Sequence, residues 1–245
     1  MSSGTFSLVP GPPSVGIDAA SFAGTQVAGI LPSGFTAVSL LSLDLAARVK
    51  EAPVAIIQAA YVRSARDLCK RSMWLKRNIT NQPLTINQPA YNFGSDPNLE
   101  VIGIEAGQIQ QQNLTWINLR EGDPDNFDPN MKTDLPTYYS YVPEGSVLFY
   151  PTPNAAYLSA MELTVQVALN ATGIPNDLIN KFNLYIEEGA MWHLYMMDKE
   201  EWFSLPLAME AKQNFFEGVG MAKSWKDKAN QQGPVRATPR AFIAR

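Results

Sequence analysis

Residues 75–172 carry short runs of β-type residues, and a stretch of helical periodicity flanks them on either side. That interruption is what most limits the fold. Strands grouped in one block between helices specify an α+β arrangement rather than an alternating α/β one. Within the block, TNQPLTINQPAYNF, NLEVIGIEAG, LTWINLR, GSVLFYPTP and SAMELTVQVALN read as strands separated by Gly, Asn, Asp and Pro, which suits an antiparallel meander or a small β-sandwich. Leu163, Val165, Val167 and Leu169 alternate with Thr164, Gln166 and Ala168, the pattern of a half-buried strand. The segment Pro136–Pro153 joins two aromatic runs through Pro143-Glu144-Gly145 and reads as a core hairpin.

The flanking stretches predict a helical bundle. Residues 44–74 form one N-terminal helix, with Pro53 suited to a first turn. Ile57, Tyr61, Ala65 and Leu68 fall on one face of it. Residues 175–228 form a helical hairpin. Asn176 is a candidate N-cap, and Leu178, Phe182, Tyr185, Ile186 and Gly189 mark the apolar face. A polar turn, Asp198-Lys199-Glu200-Glu201, precedes a second helix near Ser204 and Pro206. Ala208, Ala211, Phe215, Gly218, Ala222 and Trp225 then recur every three or four residues, a narrow stripe for packing one helix on another. The positions expected to carry helix packing are Phe182, Ile186, Ala211, Phe215, Gly218, Ala222 and Trp225.

Both chain ends differ from this body of residues 44–228. Residues 1–43 hold a single charged side chain, Asp18, and are broken by Gly and Pro, yet carry Phe6, Val9, Ile17, Phe22, Val27, Ile30, Leu31 and Phe35. A solvated linker would be charged or lack large apolar groups. The expectation is an extended N-terminal arm lying on the body or on a neighbouring subunit. Residues 229–245 form an extended basic C-terminal tail, and from Met221 onward six basic residues face one acid, Asp227. Val235, Phe242 and Ile243 are suited to apolar pockets, with Arg236, Arg240 and Arg245 as charged partners.

Few reactive residues are available. Cys69 is the one cysteine and His193 the one histidine among 245 residues, so an intrachain disulfide or a Cys/His zinc site is excluded. Cys69 reads as a buried small apolar group and His193 as a core or interface residue. Asp123, Asp125 and Asp128 lie in an acidic loop, but Phe127 stands where a calcium loop needs a ligand, and Asp128 where it needs Gly. No phosphate-cradling glycine loop, HExxH or GxSxG is present, and no cofactor or metal is expected. Paired carboxylates for hydrolysis stay open without pointing to any pair. The N-terminus lacks the basic residue and apolar run of a secretory leader, and no run of about 18 apolar residues predicts a membrane span. Charged residues make up 17% of the chain, below the roughly 25% of ordinary soluble domains. Low charge favours a subunit with large contacts, and a net charge of −4 gives no general case for nucleic-acid binding.

The order of motifs is more specific than any one of them. RDLCKRSMWLKRN is followed by PTYYSYVPEGSVLFYPTPN, ELTVQVALN, IPNDLINKFNLYIEEGAMWHLYMM and SLPLAMEAKQNFFEGVGMAKS. Over about residues 44–228 this series resembles the head–tail adaptor (connector) proteins of short-tailed bacteriophages. The resemblance implies a structural virion protein without catalytic residues. It implies a homo-oligomeric ring of about twelve copies under the portal protein, closing by head-to-tail contacts. Such a ring extends the DNA channel, touches genomic DNA non-specifically, and gives tail-tube, nozzle or tail-fibre proteins their platform. The C-terminal tail would dock on the portal. A tail-tube or nozzle subunit is the alternative, and a tail-associated cell-wall hydrolase a more distant one.

Overall fold

The computed structural model describes residues 33–49, 52–93, 96–111, 114–123, 133–142 and 146–230. The arm to residue 32, the tail from residue 231, the Pro143–Gly145 turn and Asp125 and Asp128 of the acidic loop lie outside the described residues.

Residues 33–43, placed with the arm by composition, are folded. β1 (Phe35–Ala37) pairs antiparallel with β10 (Gly173–Pro175), in the register Phe35 to Pro175 and Ala37 to Gly173. The short helices α1 (Val38–Leu41) and α2 (Leu43–Arg48) follow. The single helix expected over 44–74 is therefore divided, with α3 running Val54–Ser72 and Pro53 at its N-cap. Proline lacks an N–H and disfavours the helical conformation in the residue before it, so a helix starts afresh there. Met73 then takes a left-handed conformation at the C-cap (φ 50°) and turns the chain into β2 (Lys76–Leu84).

The strands make two four-stranded sheets, so the chain is α+β with largely antiparallel pairing. In the first, the order is β2, β9 (Tyr157–Val167), β4 (Leu99–Gln110), β5 (Trp116–Asn118). In the second, it is β3 (Ala90–Asn92), β8 (Ser146–Tyr150), β7 (Tyr138–Val142), β6 (Arg120–Glu121). This is not the order of a meander. β9 returns from the second sheet to lie between β2 and β4, and β6 runs parallel to β7.

Its central place changes the reading of β9. Leu163, Val165 and Val167 are buried, but so are Thr164 and Gln166 on the other side. The polar pair is tied across the ladder: Thr164 Oγ1 donates to Glu105 (3.1 Å) and Gln166 Nε2 to Glu100 (2.9 Å). Leu169 lies past the strand end and is exposed. In the β7–β8 hairpin, Tyr139, Val147 and Phe149 are buried, Phe149 meets the Tyr91 ring edge-on, and the Tyr141 hydroxyl donates to the Val101 carbonyl (2.7 Å). The aromatic hairpin thus ties the second sheet to the first.

The helical layer consists of α3, α4 (Asn176–Tyr195) and α5 (Leu205–Asn230). Asn176 is the first residue of α4 rather than its cap, and its side chain accepts the Thr36 hydroxyl from β1 (2.7 Å). Core residues of α3, β9 and α4 are continuous, with Tyr61, Leu68, Leu163, Phe182, Ile186 and Phe215 fully buried.

Candidate functional site

The helices α4 and α5 are antiparallel and their contact is built around two glycines. A Cβ at Gly189 would overlap Ser64 Oγ and the Phe215 ring, and one at Gly218 would overlap the Tyr185 ring. These small positions let the helix backbones approach, and aromatic rings from the facing helices fill the space. Of the seven packing positions read from the sequence, Phe182, Ile186, Ala211, Phe215, Gly218 and Ala222 are buried. Trp225 is 39% exposed although its ring tilts against Phe182 (5.4 Å between centroids). Trp74, just past α3, meets Phe182 edge-on, and Lys181 Nζ lies 4.7 Å from the Trp74 ring centre.

Charged groups staple the helices at specific points. Tyr61 donates to Asn183, Asn183 donates to Glu187, and Arg48 of α2 stands 3.7 Å from the Glu187 carboxylate and 4.0 Å from that of Glu188. Burial pushes the Glu187 carboxyl above its ordinary range, and the Arg48 guanidinium opposes that rise. His193 is stacked on Trp192 and lies 3.5 Å from Asp67, which holds Asp67 below its usual range. Burial pushes the Cys69 thiol up to about 12, so it is not poised as a nucleophile. At the far end of α5, Lys226 pairs with Glu105 of β4 (2.6 Å). Tyr61, Arg48 and Lys226 each bond to a group on another element.

The outward surfaces carry the other notable feature. Met196, Phe203, Leu205, Leu207 and Met209 are all exposed, and all lie at the α4–α5 connection or in the first two turns of α5. Leu205 and Met209 are one helical turn apart and share a face. Exposed single leucines are ordinary, but five large apolar side chains at one helix tip suit a contact with another molecule. The acidic turn Asp198, Glu200 and Glu201 lies beside them. By sequence that turn reads only as a loop; the alternation of Leu205, Leu207 and Met209 with the buried stripe was the signal available. The six tail residues assigned to docking (Val235, Arg236, Arg240, Phe242, Ile243 and Arg245) lie outside the described residues. Among the described residues no group of three or more His, Cys, Asp or Glu side chains is placed to hold a metal ion, and no helix is long and apolar enough to cross a membrane.

Comparison with known proteins agrees with a chain organised for contacts. No curated protein matches it significantly. A family profile described as SU10 adaptor protein matches residues 35–238, from β1 through α5 and beyond. An adaptor role is structural rather than catalytic, in keeping with a phage head–tail adaptor. With the match spanning most of its length, the chain belongs to the SU10 adaptor protein family.

Proposed function

We propose that this adaptor forms a ring beneath the phage portal, about twelve copies closing by head-to-tail contacts. The ring continues the DNA channel, retains and guides the genome, and gives tail-tube, nozzle or fibre proteins their seat. It is a virion component of the head–tail junction, assembled in the host cytoplasm. The observation that carries this reading is the group of exposed apolar residues at the hairpin tip, in a chain of an adaptor family. A monomer has no use for that surface, whereas a subunit between two other layers does. The C-terminal tail is the element that seats the ring. Phe242 and Ile243 enter apolar pockets of the portal while Arg236, Arg240 and Arg245 pair with its carboxylates or carbonyls.

The test is to mix the purified chain with purified portal and image the complex. A ring seated directly on the portal is the expected outcome. A ring one layer further from the portal would identify a nozzle subunit instead. A chain lacking residues 230–245 should keep its circular dichroism spectrum and lose portal binding. Unchanged binding by that chain would overturn tail docking.

A further inference from the structure

A second surface feature lies away from the hairpin tip, where β1, α1 and α3 meet the turn after β9. A groove of about 360 Å³ opens there, lined by Val38, Gln58, Ala59, Val62, Leu169 and Asn170, among others. None of its lining residues is charged. Leu169 is 70% exposed at this groove, and Leu40, on the same short helix as Val38, is 64% exposed. Backbone bonds fix one side of the groove: Val38 N–H donates to Thr172 (3.0 Å), and β1 is paired with β10 beyond it. Asn98 further secures the turn, its side-chain oxygen accepting from the N–H groups of Thr172 and Gly173 (3.0 and 3.1 Å). The recess is therefore a built feature, with apolar side chains set among uncharged polar ones.

We infer that this groove is the seat of the chain's own N-terminal arm, residues 1–32, supplied by the same or a neighbouring copy. Three observations select that occupant. The described chain begins at Ser33, five residues before Val38, so only the length of β1 separates the arm from the groove. The arm carries one charge in 32 residues, Asp18, and the groove carries none, so neither side strands an ionised group on contact. The arm also brings large apolar groups close to its junction with the body, Phe22, Val27, Ile30 and Leu31, which suit a recess edged by Leu169. In extended form 32 residues reach on the order of 100 Å, more than enough to lie across this groove in either copy.

The seat does not depend on the portal. An arm that misses this groove would leave tail docking intact, and loss of portal binding would leave the arm in place, so the two readings fail separately. The experiment places a photo-reactive p-benzoylphenylalanine at Leu169 of the full chain, irradiates it, and maps the adducts by mass spectrometry. The expected adducts fall within residues 1–32 and drop at least tenfold when Ala59→Glu puts a charge into the groove. Ala59 is exposed, so this substitution should leave the fold intact, which circular dichroism checks. As a readout without the photo-reactive group, Ala59→Glu should also speed amide hydrogen exchange in residues 1–32. Adducts confined to residues beyond 32, or arm adducts and exchange insensitive to Ala59→Glu, would overturn the proposal.

Discussion

Two regions of one helical pair make opposite use of apolar residues. Along the α4–α5 contact they are graded in size: Gly189 faces Phe215, and Gly218 faces Tyr185, so each large ring lies over a missing side chain. At the tip the side chains are all large, and no described element covers them. Complementary sizes allow close packing, whereas uniformly large groups with no small position facing them leave ridges without grooves to receive them. Burial inside the pair accounts for folding, and exposure at the tip offers a surface that folding does not use. Hydrophobicity alone does not separate these roles; the partner's shape does.

The sharpest way to break that contrast is to empty the inner contact. Phe215→Ala should cost about 3–5 kcal/mol in urea denaturation, because it removes a fully buried ring and Gly189 offers no side chain to fill the void. A cost below about 1 kcal/mol would mean that the helices collapse together freely and that the size grading has no role. Next comes the buried carboxyl of Glu187. Its folded value is raised, so folding holds the proton more tightly than the unfolded chain, and stability declines as pH rises from about 4.3 through the raised value. Glu187→Gln removes that decline. The difference in denaturation midpoint between Glu187→Gln and the parent should therefore grow in the variant's favour from pH 4 to pH 7, and a constant difference would show that Arg48 already cancels the burial. The smallest effect on stability belongs to the tip. Leu205→Ser with Met209→Ser should change stability by no more than about 1 kcal/mol while reducing assembly with copies or partners in sedimentation. Substantial unfolding instead would place the tip with the interior and end the comparison.

The inner half of this comparison is legible in sequence because it is local. Ala211, Phe215, Gly218 and Ala222 repeat at helical spacing, and a stripe of that period requires a facing helix. What depends on distant partners is not. Asn176 has the residue type of a cap, but Thr36, 140 positions away, takes its oxygen and leaves it inside the helix. Thr164 and Gln166 alternate with Leu163 and Val165 as a solvent-facing set would, yet they are buried in the centre of a sheet and bonded to Glu105 and Glu100. β9 lies between β2 and β4 only because the chain returns after the second sheet, a step that alternation cannot encode. The groove is hidden for the same reason, since its walls come from residues 38–62 and 169–172. The exposed tip lay within reach of the sequence as the apolar residues left over from the stripe.

The pairing of β1 with β10 has a mechanical consequence. β10 passes into α4 with no connecting loop, and Asn176 at the junction donates its N–H to Gly34 (2.8 Å) and accepts from Thr36. The short strand before the body is thereby splinted to the root of a 20-residue helix. Tension applied to the leading segment has no slack loop at the joint to stretch. It is delivered through this splint to α4 as a whole, and along the helix to the tip some 30 Å away by its rise per residue.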